Sequence, residues 1–402
     1  MITNSKKKNF LLVSPIMPYP LNYGTRIKVY ELIKYLAPRC NLTLISLCHC
    51  LEDVKNANHI RSLNVEVCTV LIPNKKSFLH RIMYKTLYSF ISLFFFIPQD
   101  LLYANCIPFR KKIKDISLSK RFDLVHFEYW WTGYMIKYFK NINNFVLEED
   151  VEFIRYQREY RIKKFGFSKI FTYLLWKNTF KYEIKCCSFF KTILTVTPKD
   201  KEVLEEHLSN NIITSPFLLN INIGKLSPNN SNNLIFVGGN SPHNNDATLY
   251  LLRDIYPRIK KEISDVQLYV IGGELPQEIH RYNGSNGIFI PGYVPDLISY
   301  IDRCSILVAP LRIGSGIKGK IIEAMMHKRA VITTSVGVEG IGLTHEKDVI
   351  IADNTEDFIQ GTIKLLREKT LRESLINNAL QLVQEQYSKK AAYRKFFEIY
   401  GI

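Results

Sequence analysis

The sequence predicts an α/β protein made of two tandem doubly wound domains, and three observations support this. The chain has 402 residues, which is too long for one ordinary core and suits two domains of about 200 residues. Short apolar runs typical of buried parallel strands alternate with helical stretches in both halves. A polar segment at residues 219–233, rich in Asn, Ser, Pro and Gly, separates the two series. We therefore expect domains at residues 1–222 and 223–385, and a tail at 386–402 that packs back toward the first domain.

Each domain is predicted to hold one open parallel sheet. In the first, apolar runs predict strands at residues 10–14, 42–47, 65–72, 124–127, 145–148 and 192–197, with helical stretches at 27–36, 75–120 and 163–190. In the second, strands are predicted at 234–237, 266–271, 288–290, 306–309, 330–334 and 349–351, with helices at 247–263, 321–328, 355–369 and 371–387. Ligands of such folds bind beyond the carboxyl ends of the strands, so a crevice between the two domains is expected.

The positive charge is confined to the first half of the chain. Residues 1–200 hold 32 Lys and Arg against 15 Asp and Glu, whereas residues 201–402 hold 22 of each. A one-sided basic domain indicates an anionic partner, namely a membrane surface, a nucleic acid or a phosphorylated substrate. A composition bias that only solvates the surface would produce the same count.

The basic region at residues 75–100 has two interpretations. Phe78, Leu79, Ile82 and Met83 alternate with lysines and arginines, which suits an amphipathic membrane contact. The same apolar residues would equally suit a helix pair packed on the core. The longest apolar run, residues 87–97, has 11 residues, too few to span a membrane.

Location and metal content can also be predicted. The N-terminus has a basic start but reaches proline before a signal-peptide core could form, so a cytoplasmic location is expected, with peripheral attachment to the membrane as an option. The eight cysteines form no C-x-x-C pair, so neither a zinc site nor a disulfide framework is expected.

The segment at residues 310–341 carries the clearest chemistry. It consists of a strand, a glycine-rich turn, a helix and a second strand. A turn at Gly314, Ser315 and Gly316 places the positive end of a helix where it can hold a phosphate, and Lys318 and Lys320 add charge suited to a diphosphate. Glu323 falls further into the same helix, within reach of a ribose or sugar hydroxyl.

This segment resembles the nucleotide-sugar site of glycosyltransferase family 4, the group 1 retaining enzymes of GT-B fold. A subgroup of that family has the loop P-L-x-x-G-S-G-x-[RK]-x-K-x-x-E-A, matched here from Pro310 to Ala324. The segments IFVGG, VQLYVIGG and IPGYVPDLISYIDRCSILVAP continue the similarity. Where many members carry Glu this chain has Ser315, and the Arg and Lys that often follow the first strand of that domain are absent. Phosphate binding should therefore depend more on the Gly314–Gly316 turn and its lysines.

The first half resembles the same family more weakly. PYPLNYGTRIKVYELIKYLA is similar to the family's cleft loop and helix, with Gly24 and Arg26 matching, and FDLVHFE places His126 and Glu128 at a strand end. Asp150 and Glu152 sit where related sequences have an acidic or histidine-containing strand end.

The resemblance implies two Rossmann-like domains that face a central cleft, with a nucleotide-sugar donor in the second domain and a sugar or lipid-linked acceptor in the first. It implies retention by front-face attack, without metal or cofactor, in cell-surface polysaccharide or glycolipid assembly. The implied catalytic residues are His126, Lys320 and Glu323. The implied donor-binding residues are Gly238, Gly239, Tyr293, Gly314, Ser315, Gly316, Lys318, Lys320 and Glu323, and the implied cleft or acceptor residues are Gly24, Arg26, Glu128 and Asp150.

Two other functions stay open at this point. A sugar-nucleotide epimerase has the same fold and would transfer to no acceptor. A basic nucleic-acid-binding protein would use the first half, although no RNA-recognition or helix-turn-helix motif supports it and no nucleic-acid partner is expected. A dinucleotide oxidoreductase is disfavoured, because neither IFVGGN nor YVIGGE continues as G-x-G-x-x-G.

Overall fold

A computed structural model describes most of the chain. The described residues are 7–21, 24–72, 86–88, 90–92, 94–163, 165–216, 229–314 and 316–402. Ser315, residues 75–85 of the basic region and the linker up to residue 228 lie outside them.

The chain divides into two compact units. The first comprises Met1–Asn220 together with Ala392–Ile402, and the second comprises Ile221–Ala391. Each unit contains one sheet in which every pairing is parallel, and helices connect most successive strands, except the last two, Ala330–Thr333 and Ile350–Ile351.

The first unit has a seven-stranded sheet in the order β3-β2-β1-β4-β5-β6-β7. Its strands are β1 Asn9–Ser14, β2 Asn41–Cys48, β3 Glu66–Leu71, β4 Leu124–Glu128, β5 Asn143–Glu148, β6 Thr192–Thr195 and β7 Asn211–Thr214. Its helices are α1 Gly24–Leu36, α2 Leu51–Arg61, α3 Gln99–Ala104, α4 Ile107–Ser119, α5 Glu152–Ile162, α6 Phe167–Cys187 and α7 Pro198–Glu205, with a 3-10 helix at Trp130–Tyr138. Strand β4 is buried along its whole length, as covering helices on both faces require.

The second unit has a six-stranded sheet in the order β10-β9-β8-β11-β12-β13. Its strands are β8 Asn233–Val237, β9 Gln267–Ile271, β10 Ile288–Gly292, β11 Ile306–Ala309, β12 Ala330–Thr333 and β13 Ile350–Ile351. Its helices are α8 Pro242–Tyr250, α9 Tyr256–Glu262, α10 Gln277–His280, α11 Leu297–Asp302, α12 Gly319–Met326, α13 Thr355–Arg367 and α14 Lys369–Tyr387, and the chain ends with α15 Lys389–Tyr400. The last helix runs into the residues that belong to the first unit.

Several elements differ from the sequence predictions, and helices α2, α5 and α15, for example, had no predicted range. Strand β7 was not predicted, since its NIIT segment holds only two apolar residues. The 3-10 helix Trp130–Tyr138 was not predicted either, because its aromatic run has no helical periodicity. The helix predicted from residue 247 begins at Pro242, where Ser241 caps it and Pro occupies the first turn, and a π-helical turn at Leu251–Ile255 follows it.

The C-terminal helix α15 packs into the first unit. Phe396 and Tyr400 are buried, and the Tyr400 ring makes edge contacts with the rings of Phe10 and Phe145 at centroid distances of 5.4 and 5.2 Å. Tyr35 donates a hydrogen bond to the carbonyl oxygen of Ile402. These contacts make the end of the chain part of the core of that unit.

Candidate functional site

Two glycine-rich turns of the second unit approach each other closely. Gly238 follows β8 and donates a 2.8 Å hydrogen bond to the Ile271 carbonyl at the end of β9. A Cβ added to Gly272 would lie 2.0 Å from the Gly238 carbonyl oxygen, so only glycine fits there. The predicted donor-binding residues Gly238 and Gly239 thus belong to a tightly packed backbone platform at the carboxyl edge of the sheet.

Asn244 joins this platform to helix α8. Its Nδ2 donates a 3.0 Å hydrogen bond to the Gly239 carbonyl. The hydroxyl of Ser241 accepts the Asn244 backbone N–H at 3.4 Å, which caps the helix. A Cβ on Gly238 would stand 2.7 Å from Cγ of Asn244, so the amide occupies the space that the glycine leaves.

The predicted turn before α12 has a backbone conformation that favours glycine at two positions. Gly314 has φ 134° and Gly316 has φ 68°, both in the region that favours glycine. Lys318 folds back over this turn, and its Nζ donates a 2.7 Å hydrogen bond to the Gly316 carbonyl. The Lys318 side chain is buried, so its charge stands beside the N-terminus of α12.

Lys320 connects the turn before α12 to the turn at Gly238 and Gly239 through Asn244. Its Nζ donates a 2.6 Å hydrogen bond to Oδ1 of Asn244 and lies 4.7 Å from the centre of the Phe236 ring. Burial, with a smaller contribution from the charge of Lys318, lowers the pKa of Lys320 to about 7. The second unit therefore concentrates two lysines between glycine turns, and an arriving anion would favour the protonated form of Lys320.

Glu323 stands one turn further along α12. Residues three apart share a helix face, so Glu323 is on the face that carries Lys320. Burial raises the pKa of its carboxyl group. Among the described residues no side chain or backbone group pairs with this carboxylate. It is therefore available to accept hydrogen bonds from a ligand.

Tyr293 lies at the edge of the same platform. It follows β10, and a Cβ added to Gly273 would lie 3.5 Å from Cβ of Tyr293. Its side chain is 67% exposed, so an aromatic ring faces solvent beside the two glycine turns.

Arg312 was not predicted as a site residue. Its guanidinium makes a bidentate ion pair with Asp246 of α8, at 2.6 and 3.0 Å, and stacks on the ring of Tyr250 at 4.3 Å. These contacts hold the loop after β11 against α8. Arg312 lies in the quoted P-L-x-x-G-S-G stretch, but at one of its variable positions, so the pattern gave no signal for it.

The cleft-loop residues predicted in the first unit have partners of their own. Gly24 begins α1, and Arg26 makes a 2.9 Å ion pair with the buried carboxylate of Asp53. Asp150 lies between β5 and α5 and is half-buried. Glu152, in the first turn of α5, pairs with Arg155 at 3.1 Å.

His126 and Glu128 lie in the interior of the first unit. Tyr400 and His126 Nδ1 are 2.9 Å apart and hydrogen-bonded, and His126 Nε2 is 3.2 Å from the Glu128 carboxylate. Both side chains are 1% exposed. A ring enclosed by Tyr400 and Glu128 favours a structural role, and the catalytic role of His126 stays a prediction. The sequence placed it at a strand end but could not show that the last helix covers it.

No described helix is long and apolar enough to cross a membrane. Likewise, the described residues contain no group of three or more His, Cys, Asp or Glu side chains arranged to hold a metal ion.

Comparison with known proteins identifies the second unit. Residues 231–368 match the family model described as glycosyl transferases group 1. A Klebsiella pneumoniae protein, described as an uncharacterised 44.6 kDa protein in the cps region, is 25% identical over 96% of this chain and 98% of its own.

The fold matches that of solved glycosyltransferases. Sucrose-phosphate synthase from Thermosynechococcus elongatus has a TM-score of 0.71 at 15% identity, covering 98% of both chains. Anabaena HepE in complex with UDP and glucose has a TM-score of 0.66 at 11% identity, covering 98% of this chain and 99% of that one. These findings confirm the predicted α/β fold and the group 1 resemblance, whereas the narrower assignment to family 4 stays a prediction. The chain is therefore a glycosyltransferase of the GT-B fold whose second unit carries the group 1 domain.

Proposed function

We propose that the enzyme transfers a sugar from a nucleoside diphosphate sugar to a hydroxyl acceptor with retention of anomeric configuration. The observation that carries this proposal is the pairing of buried Lys318 and partly buried Lys320 with two glycine turns, beside the carboxylate of Glu323, which has no partner among the described residues. Backbone N–H groups and buried cations suit a diphosphate, and a carboxylate suits the hydroxyls of a sugar or ribose.

The chemistry would rest on stabilising the leaving group. As the glycosidic bond to the diphosphate breaks, negative charge grows on the phosphate oxygen. Lys320 is held by Asn244 and would meet that charge as an ammonium, in a site where burial strengthens the interaction. In this proposal the diphosphate takes the acceptor proton, and no metal is needed because the lysines and the α12 N-terminus carry the charge.

The ligands of the structural neighbours suggest which nucleotide-sugar donors to test first. HepE was solved with UDP-glucose, and the pneumococcal O-GlcNAc transferase GtfA with UDP and GlcNAc. We therefore propose UDP-glucose and UDP-GlcNAc as the first donors to test. A donor present at 100 times its Kd should stabilise the protein by ~2.7 kcal/mol, which a thermal shift would detect.

Release of nucleoside diphosphate with and without acceptor tests the reaction class. A transferase releases it faster when a hydroxyl acceptor is added, and the anomeric configuration of the product can be read by NMR. Conversion of the donor into a second nucleotide sugar without release would instead identify an epimerase and contradict the proposal. An inverted product would contradict retention alone.

The acceptor proposed is a sugar or a lipid-linked sugar used in polysaccharide assembly. The description of the Klebsiella relative as a cps-region protein supports this. The basic character of residues 1–200 also suits an acceptor presented at an anionic membrane, with the enzyme acting peripherally at the cytoplasmic face. Binding of the full chain to anionic vesicles, falling as salt rises, would support this location, and equal binding to neutral vesicles would contradict it.

A further inference from the structure

The first unit contains a cavity of about 670 Å³ that the proposed reaction does not use. It lies between α3, α4, the 3-10 helix Trp130–Tyr138 and the last turns of α6. Phe139 and Asn144 line it near the start of β5, and Phe189 lines it before β6. Glu128 and Asp150 belong to the opposite, carboxyl edge of the same parallel sheet. The cavity is therefore separate from the predicted cleft-loop residues.

Apolar and aromatic side chains form most of its wall. Leu101, Ile136 and Phe139 are buried there, while Phe189 is 47% exposed and lies where solvent can enter. A volume of this size is in the range of pockets that enclose small ligands. Such a wall favours a hydrocarbon chain over a polar ligand.

Most polar groups of the wall are already satisfied within the protein. The Asn105 amide donates to the carbonyls of Leu101 and Trp131, at 2.8 and 2.7 Å. The Asn144 amide oxygen accepts the Lys191 N–H at 2.7 Å, and Tyr134 donates to the Tyr182 carbonyl at 2.9 Å. These groups have little capacity left to recognise a polar ligand.

Three cations of the wall are different. Arg110, Lys137 and Lys185 are exposed, and the side chain of each lacks a hydrogen-bond or ion-pair partner among the described residues. None of the lining residues is acidic. The wall thus combines an apolar surface with three positive charges that no acidic lining residue balances.

From this combination we infer that the cavity binds a single-chain amphiphile with an anionic head group, whose hydrocarbon chain fills the apolar part while the three cations hold the head. Charge complementarity selects the anionic head, and the apolar wall selects the chain. The inference does not depend on which sugar the enzyme transfers.

The test uses the full chain without vesicles. Isothermal titration calorimetry would compare n-dodecyl phosphate below its micelle concentration with the neutral-headed n-dodecyl maltoside and with inorganic phosphate. One equivalent of dodecyl phosphate should bind at least tenfold more tightly than either. Equal binding of the maltoside, equal binding of inorganic phosphate, or absence of dodecyl phosphate binding would each overturn the inference.

Variants locate the binding. Lys137→Glu and Lys185→Glu should each weaken dodecyl phosphate binding at least tenfold, and Phe189→Glu should do the same by placing a carboxylate at the apolar mouth. Lys114→Glu is the matched control, because Lys114 is exposed on α4 but does not line the cavity. These positions are exposed, so folding should survive, and circular dichroism would verify it. A Lys114→Glu loss as large as the others would show general charge attraction and overturn the site.

Discussion

Oδ1 of Asn244 accepts a 2.6 Å hydrogen bond from Nζ of Lys320, and this contact joins helix α12 to helix α8 beside the Gly238–Gly239 turn. The family resemblance leads one to expect Arg and Lys after the first strand of this domain, and this chain has a neutral amide there instead. The amide holds the lysine without neutralising it. Lys320 therefore stays available to an incoming anion.

Asn244→Ala should lower kcat/KM for the donor about 10- to 100-fold. Hydrogen bonds to charged groups contribute about 1.5–3 kcal/mol. The substitution also removes the hydrogen bond from the Asn244 amide to the Gly239 carbonyl. Steady-state kinetics would measure the change. Asn245→Ala is the matched control, since in the described part of the chain its side-chain amide bonds only to the Asn240 side chain. Equal effects of the two variants would remove Asn244 from the donor site.

Donor affinity should fall as pH rises above 7. The pKa of Lys320 in the free protein is lowered to about 7, and a bound diphosphate would raise it by favouring the ammonium. Binding then takes up a proton, and the affinity decreases with pH until the pKa of the bound state is passed. Calorimetry of donor binding in buffers of different ionisation enthalpy measures that proton directly. Proton uptake of zero at pH 8 would show that Lys320 does not meet the diphosphate.

Glu323→Gln should reduce kcat/KM about 10- to 100-fold while the melting temperature changes little. A carboxylate that accepts donor hydroxyls makes charge-assisted hydrogen bonds, worth about 1.5–3 kcal/mol each, and the amide weakens them. Because no described group pairs with this carboxylate, the substitution removes no internal contact. Glu262→Gln serves as the control, because the Glu262 side chain at the end of α9 is exposed. Wild-type kinetics for Glu323→Gln would exclude the residue from the site.

Removal of divalent metal should leave turnover unchanged. The lysines and the positive end of α12 are expected to balance the charge of the leaving diphosphate. Assays with excess EDTA and with added Mg²⁺ or Mn²⁺ would measure this. A tenfold loss on chelation that metal restores would contradict the metal-independent mechanism.

Local patterns were sufficient to predict the six strands of the second unit. Its strands are short apolar runs, and the site residues lie in contiguous turns whose glycines and lysines are visible in the sequence. Lys320 and Glu323 share a helix face by spacing alone. The contact between Asn244 and Lys320 could not be predicted, because it joins segments 76 positions apart through the sheet order.

The surroundings of His126 in the first unit could not be predicted for the same reason. His126 stands at a strand end, which suggested access to a ligand. Its surroundings are set by Tyr400, which is 274 positions away in the last helix. No local sequence pattern indicates such a contact, so only the tertiary structure shows that the histidine is buried.

Tyr400→Phe should destabilise the first unit while leaving the chemistry intact. The lost hydroxyl leaves Nδ1 of the buried His126 without its partner, which costs about 1–3 kcal/mol. For a domain of this size the melting temperature should drop by roughly 2–4 °C for each kcal/mol. Differential scanning calorimetry would detect this, and kcat measured well below the transition should stay within twofold of wild type.

Tyr393→Phe is the matched control on the same helix. Its ring packs on Tyr35, and its hydroxyl has no hydrogen-bond partner among the described residues, so stability should change by less than about 0.5 kcal/mol. His126→Gln then separates the two interpretations of the histidine. A structural His126 predicts a lower melting temperature with kcat largely kept, because the ring braces Tyr400 inside the core. A loss of kcat by a hundredfold or more at unchanged stability would support the catalytic role predicted for His126.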